Sequence, residues 1–127
     1  MIHRVAFYGT LLSVHGAQDL LGIRAGCRFI APCTLRGRLY DFGGYPALVE
    51  GDGSVYAELF EVDDEVLRIV DAFEGYDPEE PHGCDYVRVR VRPMGADHEV
   101  WVYRYTASLE EAEPIESGDY RSGSSAW

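Results

Sequence analysis

Hydrophobic positions along this chain recur mostly with a period of two, which is typical of β-strands. The pattern predicts strands within residues 3–9, 27–42, 46–49, 54–62, 85–93 and 99–105. Pro32 interrupts the second of these runs, so we expect either two strands or one bent strand there. Residues 46–49 and 54–62 flank the turn-like stretch EGDG, which predicts that they pair as a hairpin.

A helical pattern is clear at one place, residues 63–73. The apolar positions that follow helical spacing there are Val66, Leu67, Ile69, Val70 and Phe73. Asp63 or Asp64 can cap the N-terminus, and Gly75 stands where a C-terminal cap is expected. A short second helix is predicted within residues 17–23.

Many strands and one main helix indicate an α+β fold. We expect a small mixed β-barrel, closed or nearly closed, with the helix of about residues 63–73 packed on it. Residues 1–127 are predicted to form a single domain, because no linker or repeat divides them. From about residue 114 the chain is rich in Ser and Gly, which predicts an extended or mobile tail.

The composition narrows the set of partners. The chain is 46% hydrophobic and 26% charged, with a formal net charge of -11. Such a surface repels phosphate backbones and anionic lipids, so neither nucleic acid nor a membrane is an expected partner. The start of the chain lacks the pattern of a signal peptide, and we therefore expect a cytoplasmic protein.

Several kinds of chemistry have no motif in the sequence. The basic residues are all Arg, so a Schiff-base lysine and a phosphate-binding loop ending in Gly-Lys are excluded. The chain has no GxSxG, CxxC or HExxH motif. Its four histidines are scattered and its three cysteines lack zinc-type spacing, so we expect no metal and no cofactor.

Three local features remain as candidates for function. In YGTL (8–11) a strand runs into Gly9, where successive N–H groups can hold an anion, although a plain turn is the simpler interpretation. Glu74 lies between Phe73 and Gly75 at the helix end, where it is either a solvated acid or a partly desolvated one with a raised pKa. Arg88, in YVR (86–88), either pairs with surface acids or binds a substrate carboxylate.

Together these features resemble the gamma-glutamylcyclotransferase-like family. The matching segments, spread over nearly the whole chain, are FYGTL (7–11), GRLYDFGGYPALV (37–49), ELFEV (58–62), VDAFEGYDP (70–78), YVRVRV (86–91), WVYRY (101–105) and IESGDY (115–120). The resemblance implies a small mixed β-barrel. It also implies an enzyme that cyclises a small-molecule γ-glutamyl substrate, releasing an amine or amino acid together with 5-oxoproline.

Site residues follow from the same resemblance. It implies that Glu74 is the catalytic general acid/base. The residues that it implies for substrate binding are Tyr8, Gly9, Thr10, Leu11, Tyr45, Tyr86 and Arg88. The sequence departs from the family pattern in the apolar loop LSVHGAQDLLGIR, at Ala57 and at Tyr120, and these departures leave the identity of the substrate open.

Other functions remain open at this stage. One alternative is a non-catalytic module that binds a small molecule or a partner on the same fold, because a fold does not by itself define a function. Another is a different acyl or amide reaction that uses the same carboxylate. The oligomeric state is also open, with a homodimer as one option.

Overall fold

The computed structural model describes residues 1–122, which form one six-stranded sheet with two α-helices. The elements, in chain order, are β1 (Ile2–Phe7), α1 (Ala17–Leu20), β2 (Arg28–Asp41), β3 (Pro46–Asp63), α2 (Asp64–Glu74), β4 (Tyr86–Val91), β5 (Val100–Tyr105) and β6 (Glu113–Pro114). Short 3-10 turns lie at Arg24–Gly26, Pro81–Gly83 and Tyr120–Ser122.

The sheet is open, with strand order β4-β5-β1-β3-β2-β6. Within residues 1–122, β4 and β6 are the two edges and do not pair with each other. The α+β class is confirmed, while the expectation of a closed or nearly closed barrel is corrected to a curled half-barrel. Strand β1 lies near the centre, antiparallel to β3 and parallel to β5.

The long ribbon of β2 and β3 corrects the predicted hairpin. Residues 46–49 and 54–62 belong to one strand, and both parts pair with β2 rather than with each other. The EGDG stretch lies between the pairs Arg36–Ser54 and Arg38–Val49, where the register shifts. The EGDG stretch is therefore an excursion within one strand and not a hairpin turn, because β2 forms backbone hydrogen bonds with this strand on both sides of it.

Curling brings distant strands together on the inner face of the sheet. Leu35 on β2 and Val91 on β4 belong to one hydrophobic cluster although three strands separate β2 from β4 in the sheet. The opposite face is covered by α2, which packs Val66, Leu67 and Val70 against the sheet. The molecule therefore has one core inside the curl and a second under the helix.

Helix α2 forms as the sequence predicts, apart from one residue. The Asp63 side chain accepts a hydrogen bond from the Val66 N–H at 2.9 Å, and Gly75 ends the helix in the left-handed conformation at φ 72°. Phe73, which was assigned to the buried face, is instead 39% exposed. It lies in the last turn, where the helix extends past the edge of the core.

The segment after residue 114 is packed as far as the structure describes it. The Ile115 N–H donates to the Leu39 carbonyl and the Tyr56 N–H donates to the Gly118 carbonyl, both at 2.8 Å. Tyr120 is only 2% exposed within the inner core. One aromatic anchor and main-chain pairing therefore hold residues 115–120 on the sheet, although the segment is rich in Ser and Gly. Residues 123–127 lie outside the described residues.

Candidate active site

A cavity of about 340 Å³ lies at the carboxyl end of β1. Its walls come from four parts of the chain: the loop Tyr8–Leu11, the segment Gly44–Pro46, the end of α2 at Phe73 and Glu74, and Tyr86 at the start of β4. The structure thus brings together seven of the eight predicted site residues. Concave sites of this size with a few convergent polar groups are typical of small-molecule binding.

The loop Tyr8–Leu11 presents its backbone to this cavity. The turn is closed by the Leu12 N–H, which donates to the Gly9 carbonyl at 3.0 Å. Within residues 1–122, the N–H groups of Gly9, Thr10 and Leu11 donate no hydrogen bond to a backbone or side-chain acceptor. Consecutive free N–H groups can hold an anionic or carbonyl oxygen.

Glycine at position 9 is required by space and not by an unusual dihedral angle. The residue does not have a positive φ. A Cβ atom at this position would clash with Cγ of Pro46. Gly9 and Pro46 therefore pack face to face, and this close approach sets the position of the loop.

Glu74 projects from the last turn of α2 and is half-buried at the cavity wall. Burial raises the pKa of its carboxyl from the ordinary value to about 7. In the described part of the chain, no hydrogen bond and no ion pair engages this carboxylate. Desolvation without compensating hydrogen bonds favours the protonated form, which explains the direction of the pKa shift.

Three tyrosines lie near Glu74, yet each hydroxyl donates elsewhere. Tyr8 donates to the Tyr103 carbonyl at 2.7 Å, and Tyr86 donates to the Pro46 carbonyl at 2.6 Å. The Tyr103 hydroxyl donates to Asp71. Burial and then the nearby Glu74 charge raise the pKa values of Tyr8 and Tyr86, so both hydroxyls stay neutral. The tyrosines line the site but leave the Glu74 oxygens free.

Tyr8 also has a structural role. Its hydroxyl accepts a hydrogen bond from the Leu48 N–H at 3.3 Å, so the side chain joins β1, β3 and β5 inside the core. The contribution of Tyr8 to the cavity is therefore its backbone and ring. Tyr45, in contrast, is 47% exposed and stacks on Phe42 with ring centroids 5.1 Å apart, at the cavity rim.

Arg88 is the one predicted site residue that does not line the cavity. Its guanidinium lies 3.5 Å from Asp71, between the rings of Tyr76 and Trp101. Burial raises the pKa of Asp71, although the hydrogen bond from Tyr103 and the Arg88 charge oppose this shift. Within residues 1–122, Arg88 thus pairs with a buried acid one helical turn before Glu74, and not with one of the surface acids considered from the sequence.

Sequence reasoning missed a second buried carboxylate, that of Glu58. It accepts hydrogen bonds from the Ser13 N–H at 2.8 Å, the Ser13 hydroxyl at 3.2 Å and the Tyr56 hydroxyl at 2.9 Å. Glu58 therefore anchors the loop that follows Leu11. The signal available in the sequence was that Glu58 occupies an inward-facing position of the predicted strand 54–62. A buried acid there needs several hydrogen-bond donors around it.

A further cavity of about 290 Å³ adjoins the first and shares Tyr45, Glu74 and Tyr86 with it. Cys84, Asp85 and Tyr105 line its far part. Glu74 consequently contributes to the walls of two adjoining cavities.

Two further features of the molecule concern metal binding and the crossing of a membrane. Among residues 1–122, no three or more His, Cys, Asp and Glu side chains converge in the way that a metal ion would need. No helix in the described part of the chain combines the length and apolar character that crossing a membrane requires.

Comparison with known proteins places the chain in a defined family. The sequence model of the family described as "Gamma-glutamyl cyclotransferase, AIG2-like" matches residues 5–122. The chain therefore belongs to the AIG2-like gamma-glutamyl cyclotransferase family. This membership supports a function of the gamma-glutamylcyclotransferase type.

Individual relatives agree with this assignment. The gamma-glutamylcyclotransferase family protein YtfP of Escherichia coli strain K12 is 32% identical over 84 residues, which are 65% of this chain and 66% of that protein. The matched part is thus just under two thirds of the relative's length.

Solved structures show the same fold. The solution structure of ytfP from Escherichia coli has a TM-score of 0.71 at 24% identity, covering 92% of this chain and 95% of that chain. An AIG2-like protein from Mus musculus has a TM-score of 0.73 at 22% identity, covering 98% of this chain and 92% of that chain.

Proposed function

We propose that this protein is a γ-glutamyl cyclotransferase that releases an amine or amino acid and 5-oxoproline. The observation that carries the proposal is the position of Glu74: a desolvated carboxylate, which has no hydrogen-bond partner within residues 1–122, lines the same cavity as Gly9, Thr10 and Leu11. Family membership supplies the reaction class, and the geometry supplies a role for each group.

The reaction is an intramolecular aminolysis. The substrate's α-amine attacks its own γ-carbonyl carbon, a new C–N bond closes the five-membered lactam, and the old C–N bond to the leaving amine breaks. No water is consumed. The cavity's main contribution is to hold the folded conformer, and orientation of this kind is worth roughly 7–11 kcal/mol at best.

Glu74 moves the proton in this scheme. A free α-amine titrates near ~8 and is mostly ammonium at neutral pH, so it must lose a proton before it attacks. A carboxylate with a pKa of about 7 can accept that proton and then donate it to the leaving nitrogen. The N–H groups of Gly9, Thr10 and Leu11 hold the glutamyl end of the substrate, and the adjoining cavity accommodates the leaving amine.

The test is 5-oxoproline release from a panel of γ-glutamyl amines and γ-glutamyl amino acids by the wild type and by Glu74→Gln. Removal of the proton-transfer group is expected to lower kcat by about 10²–10⁴-fold. Glu65→Gln is a matched control, since it makes the same change at an exposed position of the same helix and is expected to keep full activity.

Two results would contradict the proposal. Full activity in Glu74→Gln would exclude the assigned proton transfer. Thermal stabilisation of the wild type by 5-oxoproline, without turnover of any substrate in the panel, would instead indicate the binding module that the sequence left open.

A further inference from the structure

The open seam of the half-barrel holds a second cavity, distinct from the Glu74 cavity. Its volume is about 330 Å³, and its apolar floor is formed by Leu35, Leu48 and Val91. It shares no lining residue with the Glu74 cavity. The seam exists because the edge strand β4 curls toward β2 and β3 without pairing with them.

Three arginines from three separate elements converge on this cavity: Arg36 from β2, Arg92 directly after β4 and Arg104 from β5. The sequence holds 11 arginines against 22 acidic residues, so three arginines around one small cavity reverse the sign of the charge locally. Such a concentration of positive charge with low-dielectric walls attracts anions.

The acidic residues of the molecule leave this charge mostly uncompensated. Glu50 is the one carboxylate that lines the cavity, and it pairs with Arg104 at 3.2 Å. Within residues 1–122, neither Arg36 nor Arg92 takes part in an ion pair or a side-chain hydrogen bond. Two guanidinium groups at the cavity mouth therefore remain available to a ligand.

One glycine of the EGDG excursion, Gly51, lines the cavity. A Cβ atom at Gly51 would lie 2.7 Å from Cγ of Arg38, and one at Gly53 would lie 2.7 Å from the Gly37 carbonyl oxygen. The excursion therefore packs closely on the neighbouring part of β2 because residues 51 and 53 have no side chains.

We propose that the seam cavity binds a small organic anion with an apolar body. The carboxylate, phosphate or sulfonate group of such a ligand is held by Arg36 and Arg92, and its hydrocarbon part lies on Leu35, Leu48 and Val91. Guanidinium groups bind planar anions through paired N–H donors, while the apolar floor selects against fully hydrated inorganic ions. This site is independent of the proposed cyclotransferase reaction.

The test uses 1-anilinonaphthalene-8-sulfonate, a fluorescent anion with an apolar ring system, as the probe. The double variant Arg36→Gln/Arg92→Gln is expected to weaken binding about tenfold or more, because it removes both charge-assisted contacts to the anion. The double variant Arg28→Gln/Arg68→Gln removes the same two charges from exposed positions elsewhere and is expected to bind like the wild type.

A second measurement does not depend on the folding of any variant. Amide chemical shifts of the wild type are followed by NMR as the probe is added, and the largest changes are expected at Gly51, Gly53 and Val91. Equal weakening in both double variants, or shift changes confined to Tyr8–Leu11 and Glu74, would overturn the seam site.

Discussion

Two carboxylates flank the same loop, and the protein treats them in opposite ways. Glu58 accepts three hydrogen bonds, two of them from Ser13, and so fixes the far end of the loop that begins at Tyr8. Glu74 faces the near end of the loop and, within the described residues, receives no hydrogen bond. The first carboxylate is a structural anchor, whereas the second is left able to exchange a proton.

This difference in hydrogen bonding distinguishes an anchoring carboxylate from a reactive one. Burial alone does not distinguish them, since both are withdrawn from water. The number of hydrogen-bond donors does distinguish them. Full hydrogen bonding stabilises the charged form of a carboxylate, while desolvation without donors destabilises that form. An unpaired, desolvated carboxylate in a cavity is therefore a candidate for function, and its charge lowers the stability of the folded protein.

Of the effects expected from this comparison, the largest is a gain in the free energy of unfolding when the Glu74 charge is removed. Since the folded-state pKa of about 7 exceeds the ordinary value of 4.5, the wild type loses stability as the pH rises from about 4.5 to about 7. At pH 8 the loss approaches about 3 kcal/mol, and Glu74→Gln should regain most of it.

Urea denaturation of the wild type and Glu74→Gln at several pH values measures this effect. The variant should be the more stable protein at pH 8, and the gap should close toward pH 4. A variant less stable than the wild type at pH 8 would show that the Glu74 charge is compensated after all.

The opposite sign is expected for Glu58→Gln. Gln retains one acceptor oxygen but replaces the other with an NH₂ group that faces donors, so the free energy of unfolding should fall by about 1–3 kcal/mol. The measurement is urea denaturation at pH 7, with Glu61→Gln as the control on the same strand, where exposed arginine pairs contribute less than about 1 kcal/mol. Equal effects at positions 58 and 61 would remove the anchoring role.

The smallest effect is expected at Tyr103, whose hydroxyl donates to Asp71 one turn before Glu74. Tyr103→Phe leaves Asp71 with only the 3.5 Å approach of Arg88, and a cost of about 1 kcal/mol is expected. Tyr45→Phe, at the exposed cavity rim, serves as the control and should leave stability unchanged. If the two variants are equally stable, the Asp71 cluster does not hold the end of α2.

Local signals in the sequence were sufficient for some parts of this structure. Helix α2, its Asp63 cap and its Gly75 end follow from apolar spacing and cap preferences that act over a few residues. Gly9 is different, because the reason for the glycine is its contact with Pro46, which lies 37 positions away and has no local signature.

Other parts depended on partners far along the chain. The EGDG stretch reads as a hairpin turn only if β2 is ignored, and the segment after residue 114 reads as mobile only if its packing around Tyr120 is ignored. The Glu58–Ser13 pairing spans 45 positions. The resemblance to a family singled out Glu74, but its unpaired state emerges only when three tyrosine hydroxyls are seen to donate elsewhere.

Direct titration of the Glu74 carboxyl tests the central claim most closely. Carboxyl carbon NMR of the wild type labelled at glutamate, with the Glu74 signal assigned by its absence in Glu74→Gln, gives the pKa without any need for turnover. A value near 7 is predicted, because the carboxylate is desolvated and has no partner among residues 1–122. A value at or below the ordinary 4.5 would contradict the account, since Glu74 would then be one more solvated or hydrogen-bonded acid.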